Sequence, residues 1–206
     1  MAPPQIKIAL IICSTRSPRV GPSVSSWVTT VINSTLPQFP NTTLTVLDLA
    51  DHPLPISPND SVIAAHQSLP LAENAYSDAA VNAWSLEVRK YQGYVFVTPQ
   101  YNWSFPAAVK CAIDHLFYEW VGKPAMIVSY GARGGGKANA QLREVLCGLR
   151  MHAWEGKVEL AIGREGLDGG VLGEKVLAAW EGVGKREEVV ARWGELVELL
   201  GGKGEV

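Results

Sequence analysis

The chain has 206 residues, a length that suits one domain able to bury a core of its own. With 47% hydrophobic and 18% charged residues it falls among globular compositions, away from disordered, collagenous and coiled-coil ones. A net charge of -2 leaves no basic surplus for a nucleic-acid backbone or an anionic membrane surface, so neither partner is expected and any cationic site must be local.

The run IKIALIIC (6–13) is apolar at nearly every position and predicts a strand buried on both faces of a parallel sheet. It leads into a strand end and a turn, not a small-residue cleavage site, and no stretch reaches the roughly 20 apolar residues of a bilayer span, which predicts a cytoplasmic chain. After the polar loop STRSPRVGPS (14–23), Val24, Trp27, Val28 and Val31 stand at helical spacing. TLTVLDL (43–49) reads as a second strand. A long proline-rich connection follows, then a helix over about 75–90 with Ala80, Trp84 and Val88 on one face. GYVFVTP (93–99) is the third strand.

Val109, Ala112, Ile113, Leu116 and Trp120 predict the next helix, with Ser104 as N-cap and Pro106 near its first turn. PAMIVSY (124–130) is the fourth strand, AQLREVLCGLR (140–150) a helix and KVELAIG (157–163) the fifth strand. Helices over about 171–180 and 185–200 close the chain, and the terminal GGKGEV is expected to fray. Five strands alternating with helices predict an α/β fold with a doubly wound parallel sheet.

Cys13, Cys111 and Cys147 have no metal-like spacing among themselves or with the four histidines, so they read as buried free thiols and no metal site is expected. The N-x-S/T sequons at Asn33, Asn41, Asn59 and Asn102 read as chance in a chain of this class.

Open parallel sheets bind ligands beyond the carboxyl ends of their strands. The loops after strands one, three and four are therefore the ones to inspect. The first offers hydroxyls at Ser14, Thr15, Ser17 and Ser23, cations at Arg16 and Arg19, and a helix start, with no acidic residue: the components of a phosphate site, or simply a capped, solvated turn. The loop after strand three, TPQYNWSF (98–105), sets the amides Gln100 and Asn102 beside the flat rings of Tyr101 and Trp103. That suits a planar heterocycle with hydrogen-bonding edges, and equally a plug at the sheet end. The loop after strand four, SYGARGGGK (129–137), satisfies G-x-x-x-x-G-K but places Ala138 where a P-loop needs Ser or Thr for magnesium. Its glycines more readily allow close approach of a flat ligand.

Together STR (14–16), TPQYN (98–102), PAAVKCAID (106–114) and GKPAMIVSYGARGG (122–135) resemble the NADPH-dependent FMN reductase family of flavodoxin-like proteins. The resemblance covers about residues 6–150, with the motifs in the right order. It implies a three-layer sandwich around a five-stranded parallel sheet of order 2-1-3-4-5, noncovalent FMN, and two-electron transfer from NADPH or NADH through the flavin to a quinone, azo compound or free flavin. Carried over motif by motif, it assigns Ser14, Arg16, Arg19, Gly21 and Ser23 to the FMN phosphate. It assigns Pro99, Gln100, Tyr101, Asn102 and Trp103 to the isoalloxazine ring, mostly through backbone groups. Ser129, Tyr130 and Gly131 would flank the other side, with Arg133 nearby. The chemistry falls to flavin N5, so no side chain is assigned as acid, base or nucleophile. A homodimer or homotetramer is implied.

Two positions depart from the family pattern. Cys13 stands where glycine is usual, and packing into the strand end is the expected outcome for so small and apolar a thiol. Trp103 stands where glycine or another small residue is common, which puts a bulky ring beside the flavin. Lys110 and Asp114 read as a surface pair one helical turn apart. Three other readings stay open at this level: a flavin-binding redox-sensing module with incidental turnover, a specialised flavoenzyme acting on a biosynthetic intermediate, and a nucleoside triphosphatase.

Overall fold

The computed structural model describes residues 4–58, 60–153, 155–163, 167–168 and 170–201. Strand β1 (Ile6–Ile12) explains the architecture: its side chains alternate between two faces, and both faces are buried. Ile8, Leu10 and Ile12 enter one apolar cluster, while Ala9 and Ile11, with Cys13 beyond the strand, enter another. A strand apolar on both sides needs helices on both sides, and three layers result.

β1 pairs in parallel with β2 (Thr42–Asp48) on one side and β3 (Gly93–Pro99) on the other, and β3 pairs with β4 (Pro124–Gly131). Along the far side of β4 run β5 (His152–Ala153) and then β6 (Val158–Ala161), both parallel to it. The order β2-β1-β3-β4-β5 is the flavodoxin-like order expected, with the fifth strand delivered in two pieces. Helices α1 (Gly21–Asn33), α5 (Glu174–Gly182) and α6 (Lys185–Gly201) cover the first cluster through Val24, Val28, Trp180, Trp193 and Leu196. Helices α2 (Ala79–Val88), α3 (Ala107–Asp114) and α4 (Gly136–Gly148) cover the second through Trp84, Val109, Ile113, Leu142 and Leu146.

Several boundaries differ from expectation. α2 begins only at Ala79, because the Asp78 side chain accepts the N–H groups of Ala80 and Val81 at 2.8 and 3.1 Å and so fixes the N-cap there. α3 is capped by Pro106, not by Ser104, and ends at Asp114; Leu116 and Trp120 are buried beyond it without being helical. α4 starts at Gly136, four residues before the predicted start, after Gly135 takes φ 80°, a value that favours glycine. Residues predicted as the start of a helix at 171 form β8 (Val171–Leu172), antiparallel to β7 (Leu167–Asp168). Of the thiols, Cys13 is buried, Cys111 half-buried and Cys147 exposed on α4, so uniform burial was wrong. Asn59 and the tail beyond Gly201 lie outside the described residues. No helix of the described residues is long and apolar enough to cross a membrane.

Trp180 fastens α5 to the sheet and to α1. Its Nε1–H donates to the Ala161 carbonyl at 2.6 Å, and its ring meets Trp27 of α1 edge-on with centroids 5.0 Å apart. Trp180→Ala is expected to cost about 3–5 kcal/mol, read as a fall in the urea midpoint. An unchanged midpoint would mean that α5 does not depend on this anchor.

Candidate functional site

The loops after β1, β3 and β4 meet at the carboxyl end of the sheet and enclose a cleft of about 520 Å³. Its walls include Arg16, Arg19, Pro99, Gln100, Tyr101, Tyr130 and Gly131, residues singled out from the sequence. They also include Ile162, Gly163 and Gly170, which were not. The Gly170 wall comes from the β7–β8 hairpin, whose D-G-G sequence is a hairpin signal overlooked in favour of helical spacing further on.

At the floor of the cleft α1 starts without a capping side chain. Val20 occupies the N-cap, no acidic residue lies in the first turn, and Pro22 has no N–H at all. The helix start therefore has N–H donors to spare. Beside it Ser14 Oγ and Tyr130 Oη are buried with no hydrogen-bond partner among the described residues. Both crowd Gly21: a Cβ there would lie 2.0 Å from Ser14 Oγ and 2.9 Å from Tyr130 Oη. Burial pushes the Tyr130 phenol well above its ordinary range, partly offset by the neighbouring Ser14 hydroxyl. Two neutral donors, an uncapped helix start and no carboxylate in the loop make a cradle that fits a phosphate group.

The two arginines of this loop have different roles. Arg19 grips Asp48 at the end of β2 with both guanidinium nitrogens, at 2.7 and 2.6 Å, and also donates to the Ser14 carbonyl at 2.5 Å. Burial acts to raise the Asp48 carboxyl, but the hydrogen bonds from Arg19 and Ala50 and the guanidinium charge outweigh it and hold it below the usual range. The same partner raises Arg19 further. Arg19 is thus paired and fastens the loop to β2, next to the place expected for a phosphate. Asp48 lies 29 positions from Arg19, and in the sequence only its place at a strand's carboxyl end signals it. Arg16 is exposed, 5.6 Å from the Tyr101 ring centroid, and has no ion pair among the described residues. Ser23 is also committed elsewhere, its Oγ accepting the Leu172 N–H at 3.1 Å.

After β3, Gln100 donates its N–H to the Tyr130 carbonyl at 2.9 Å, and its Oε1 accepts the N–H groups of Lys137 and Ala138 at 3.0 and 3.4 Å. It caps α4 from outside, because Gly135 has no side chain to do so. The GARGGGK segment is therefore a capped helix start rather than a phosphate loop. Tyr101 and Ser104 exchange N–H···O bonds of 2.8 and 2.9 Å around Asn102 and Trp103, whose φ values of 45° and 69° give the positive pair of a type I′ hairpin turn. Gln141 clamps this turn, donating to the Trp103 carbonyl at 3.1 Å and accepting the Ser104 hydroxyl at 2.6 Å. Of the backbone donors expected to meet a ring, those of Gln100 and Tyr101 are used internally; those of Asn102 and Trp103 have no acceptor among the described residues.

Ser129 is buried and donates to the Gly134 carbonyl at 2.9 Å, so it shapes the glycine loop instead of lining the cleft. Arg133 and Trp103 line a second cleft on the other side of that loop. Cys13 packs into the core, and burial pushes its thiol far above the ordinary range. Lys110 and Asp114 form the expected exposed pair at 2.6 Å.

The description "NADPH-dependent FMN reductase" belongs to a family model that matches residues 6–164. An "NAD(P)H-dependent FMN reductase ntnL" from Nectria sp is 40% identical over 202 residues, covering 94% of this chain and 96% of that protein. The "NAD(P)H-dependent FMN reductase LOT6" of Saccharomyces cerevisiae is 41% identical over 160 residues, covering 77% and 83%. Among solved structures, the flavoenzyme NAD(P)H:(acceptor) oxidoreductase FerB of Paracoccus denitrificans superposes with a TM-score of 0.61 at 19% identity, covering 94% of this chain and 98% of its own, which is a likeness of fold.

Two outcomes follow from the geometry. Tyr130→Phe removes a buried hydroxyl whose polar neighbour is the Ser14 hydroxyl, so it should change the stability of the ligand-free protein by no more than about 1 kcal/mol while FMN affinity falls. Urea unfolding together with FMN titration reads both, and a larger loss of stability would mean that the hydroxyl has a firm protein partner. The Asp48 carboxyl lies below its unfolded value of about 3.9, so its stabilisation is present above that pH and is lost as pH falls through the lower folded value. The stability advantage of the wild type over Asp48→Asn should therefore be full at pH 7 and shrink below about pH 4 in unfolding measurements.

Proposed function

The chain belongs to the NADPH-dependent FMN reductase family, and from that premise we propose that it holds FMN in the cleft between the β1, β3 and β4 loops and passes two electrons from NADPH or NADH to a quinone, azo compound or free flavin. The observation that carries this reading is the pair of unpartnered buried hydroxyls at the uncapped start of α1. When bound, FMN would supply the two-electron redox chemistry between donor and acceptor.

The chain's own groups do the holding. Ser14 and Tyr130 donate their hydroxyl hydrogens to the phosphate, the first-turn N–H groups of α1 add their dipoles, and Arg16 adds the charge. Arg19 and Asp48 keep that loop in place, and Gly21 leaves room for it. Pro99 and Tyr101 give the flat ring an apolar wall, and the N–H groups of Asn102 and Trp103 are the donors free to meet its polar edge. Gln100 and Ser129 act one step back, fixing the glycine loop opposite. No side chain is needed as acid or base. A planar acceptor suits the wall of Pro99, Tyr101 and Ile162, entering after the oxidised donor leaves.

Residues 1–206 act as one FMN-binding domain, in the cytosol, as a homodimer or homotetramer. The exposed apolar side chains Ile56, Ile63 and Leu69 on the connection after β2 support a second copy as partner.

The purified protein should be yellow, bleach on anaerobic addition of NADPH or NADH, and oxidise the donor catalytically with a quinone. Arg16→Ala should weaken FMN binding by about 1.5–3 kcal/mol through loss of a charge-assisted contact. A colourless protein that takes up no added FMN would overturn the proposal, and bleaching without turnover would favour a redox-sensing module instead.

A further inference from the structure

The turn after β3 carries a residue at odds with its own backbone. Asn102 and Trp103 hold the two central places of a type I′ turn, with φ values of 45° and 69°, and such turns favour asparagine followed by glycine. Asn102 meets the first preference, and Trp103 stands in the glycine's place. A bulky side chain there strains the backbone, and Gln141 holds it in position by donating to the Trp103 carbonyl at 3.1 Å.

Packing does not offset that strain. Of the other described tryptophans, Trp84, Trp120, Trp180 and Trp193 are fully buried and Trp27 meets Trp180 edge-on. Trp103 is 65% exposed and makes no ring contact among the described residues. An indole that the fold strains without burying is placed for something outside the chain.

Its position indicates what that is. The Trp103 N–H is one of the two donors free for the flavin's polar edge, so the indole starts within one residue of the ring. The side chain lines a second cleft, of about 610 Å³, which shares Gln100, Gly131 and Ala132 with the first. That shared lip is low: Gly131 has no side chain, Ala132 has only a methyl group, and the Gln100 side chain is drawn away onto the N–H groups of Lys137 and Ala138. A flat molecule in the first cleft can therefore continue across the lip to the indole. The charged groups of the second cleft carry both signs, Arg133, Lys137 and Lys157 with Glu159, so what sets it apart is the flat apolar face of Trp103.

We propose that Trp103 determines acceptor specificity by forming a stacking subsite for a second aromatic ring, so that the enzyme favours two-ring acceptors such as aryl-substituted quinones over single-ring ones. The reducible ring lies against Pro99, Tyr101 and Ile162, and the second ring crosses the lip onto the indole. The overall reaction is the same for either class: the donor gives up a hydride, and with one proton from solvent the quinone becomes the hydroquinone. The inference rests on the reading that FMN occupies the first cleft, and it narrows the class of acceptor.

Three neutral quinones test it on the FMN-loaded protein: phenyl-, cyclohexyl- and methyl-1,4-benzoquinone. Comparing the same quinones across variants cancels their own reactivity. The ratio of kcat/KM for the phenyl to the methyl compound should fall about fivefold in Trp103→Gly and persist in Trp103→Phe. The cyclohexyl-to-methyl ratio, which senses bulk but not stacking, should move by less than about twofold. Trp103→Gly should also hold or raise the urea midpoint of the ligand-free protein, because glycine takes this φ without strain. An unchanged phenyl ratio or an equal fall for the cyclohexyl compound would overturn the proposal. So would a lowered midpoint or an altered oligomeric state, either of which would mean that the indole packs against protein. A wild type that takes up no FMN, or reduces none of the three quinones, would count against the proposed function itself; one that reduces all three with ratios indifferent to position 103 would overturn the subsite alone.

Discussion

A buried hydroxyl without a partner costs about 1–3 kcal/mol, and this fold places two of them, Ser14 and Tyr130, at one spot. Ser14 follows β1 and Tyr130 stands near the end of β4, far apart in sequence, and only a glycine at position 21 lets them converge on the start of α1. That helix start in turn lacks a capping side chain. Three separate economies of folding, a cap and two hydrogen bonds, are left unmade at the same place. A fold that leaves donors idle there is built for an acceptor that arrives later, and the rest of the site is arranged around that point.

Much of the remaining polar chemistry is scaffolding for it. Arg19, which looks like a ligand by type, is spent on Asp48 and on the Ser14 carbonyl, and so ties the loop after β1 to the edge strand. Gln100 is spent on the start of α4, and Ser129 on the glycine loop. Gln141 holds the Asn102–Trp103 turn from outside. Each of these residues faces inward to another loop, and together they join the three loops into one unit. Against that background the idle hydroxyls of Ser14 and Tyr130 stand out at the start of α1, with Arg16 near the same cleft over the Tyr101 ring and without an ion pair among the described residues.

The strands were legible because their signal is local. An apolar run such as IKIALIIC can hardly be anything but a strand buried on both faces, and the sheet order followed from the family resemblance. The loops after β1, β3 and β4 were legible for the same reason, since their composition departs from that of ordinary turns. The partners within those loops were not. Nothing near Arg19 announces Asp48, and nothing in TPQYNW announces that its glutamine reaches a helix 37 positions on. The end of α3 was misread because Leu116 and Trp120 keep helical spacing and burial after the helix has stopped. The hairpin at 167–172 was misread because two-residue strands are too short to show alternation.

Trp103 illustrates the division. The sequence marks it as unusual, but its reason lies in the backbone: position 103 takes a positive φ, which favours glycine, and an indole there is strained, clamped and exposed.

The central claim is that the cradle at the start of α1 is a phosphate site. Its most direct measurement compares the dissociation constants of FMN and riboflavin, which share the ring and the ribityl chain and differ only in the phosphate. The account predicts that FMN binds at least a hundredfold more tightly, corresponding to about 2.7 kcal/mol or more. Equal affinities would contradict it, because the ring would then be held without any contribution from Ser14, Tyr130 or the helix start.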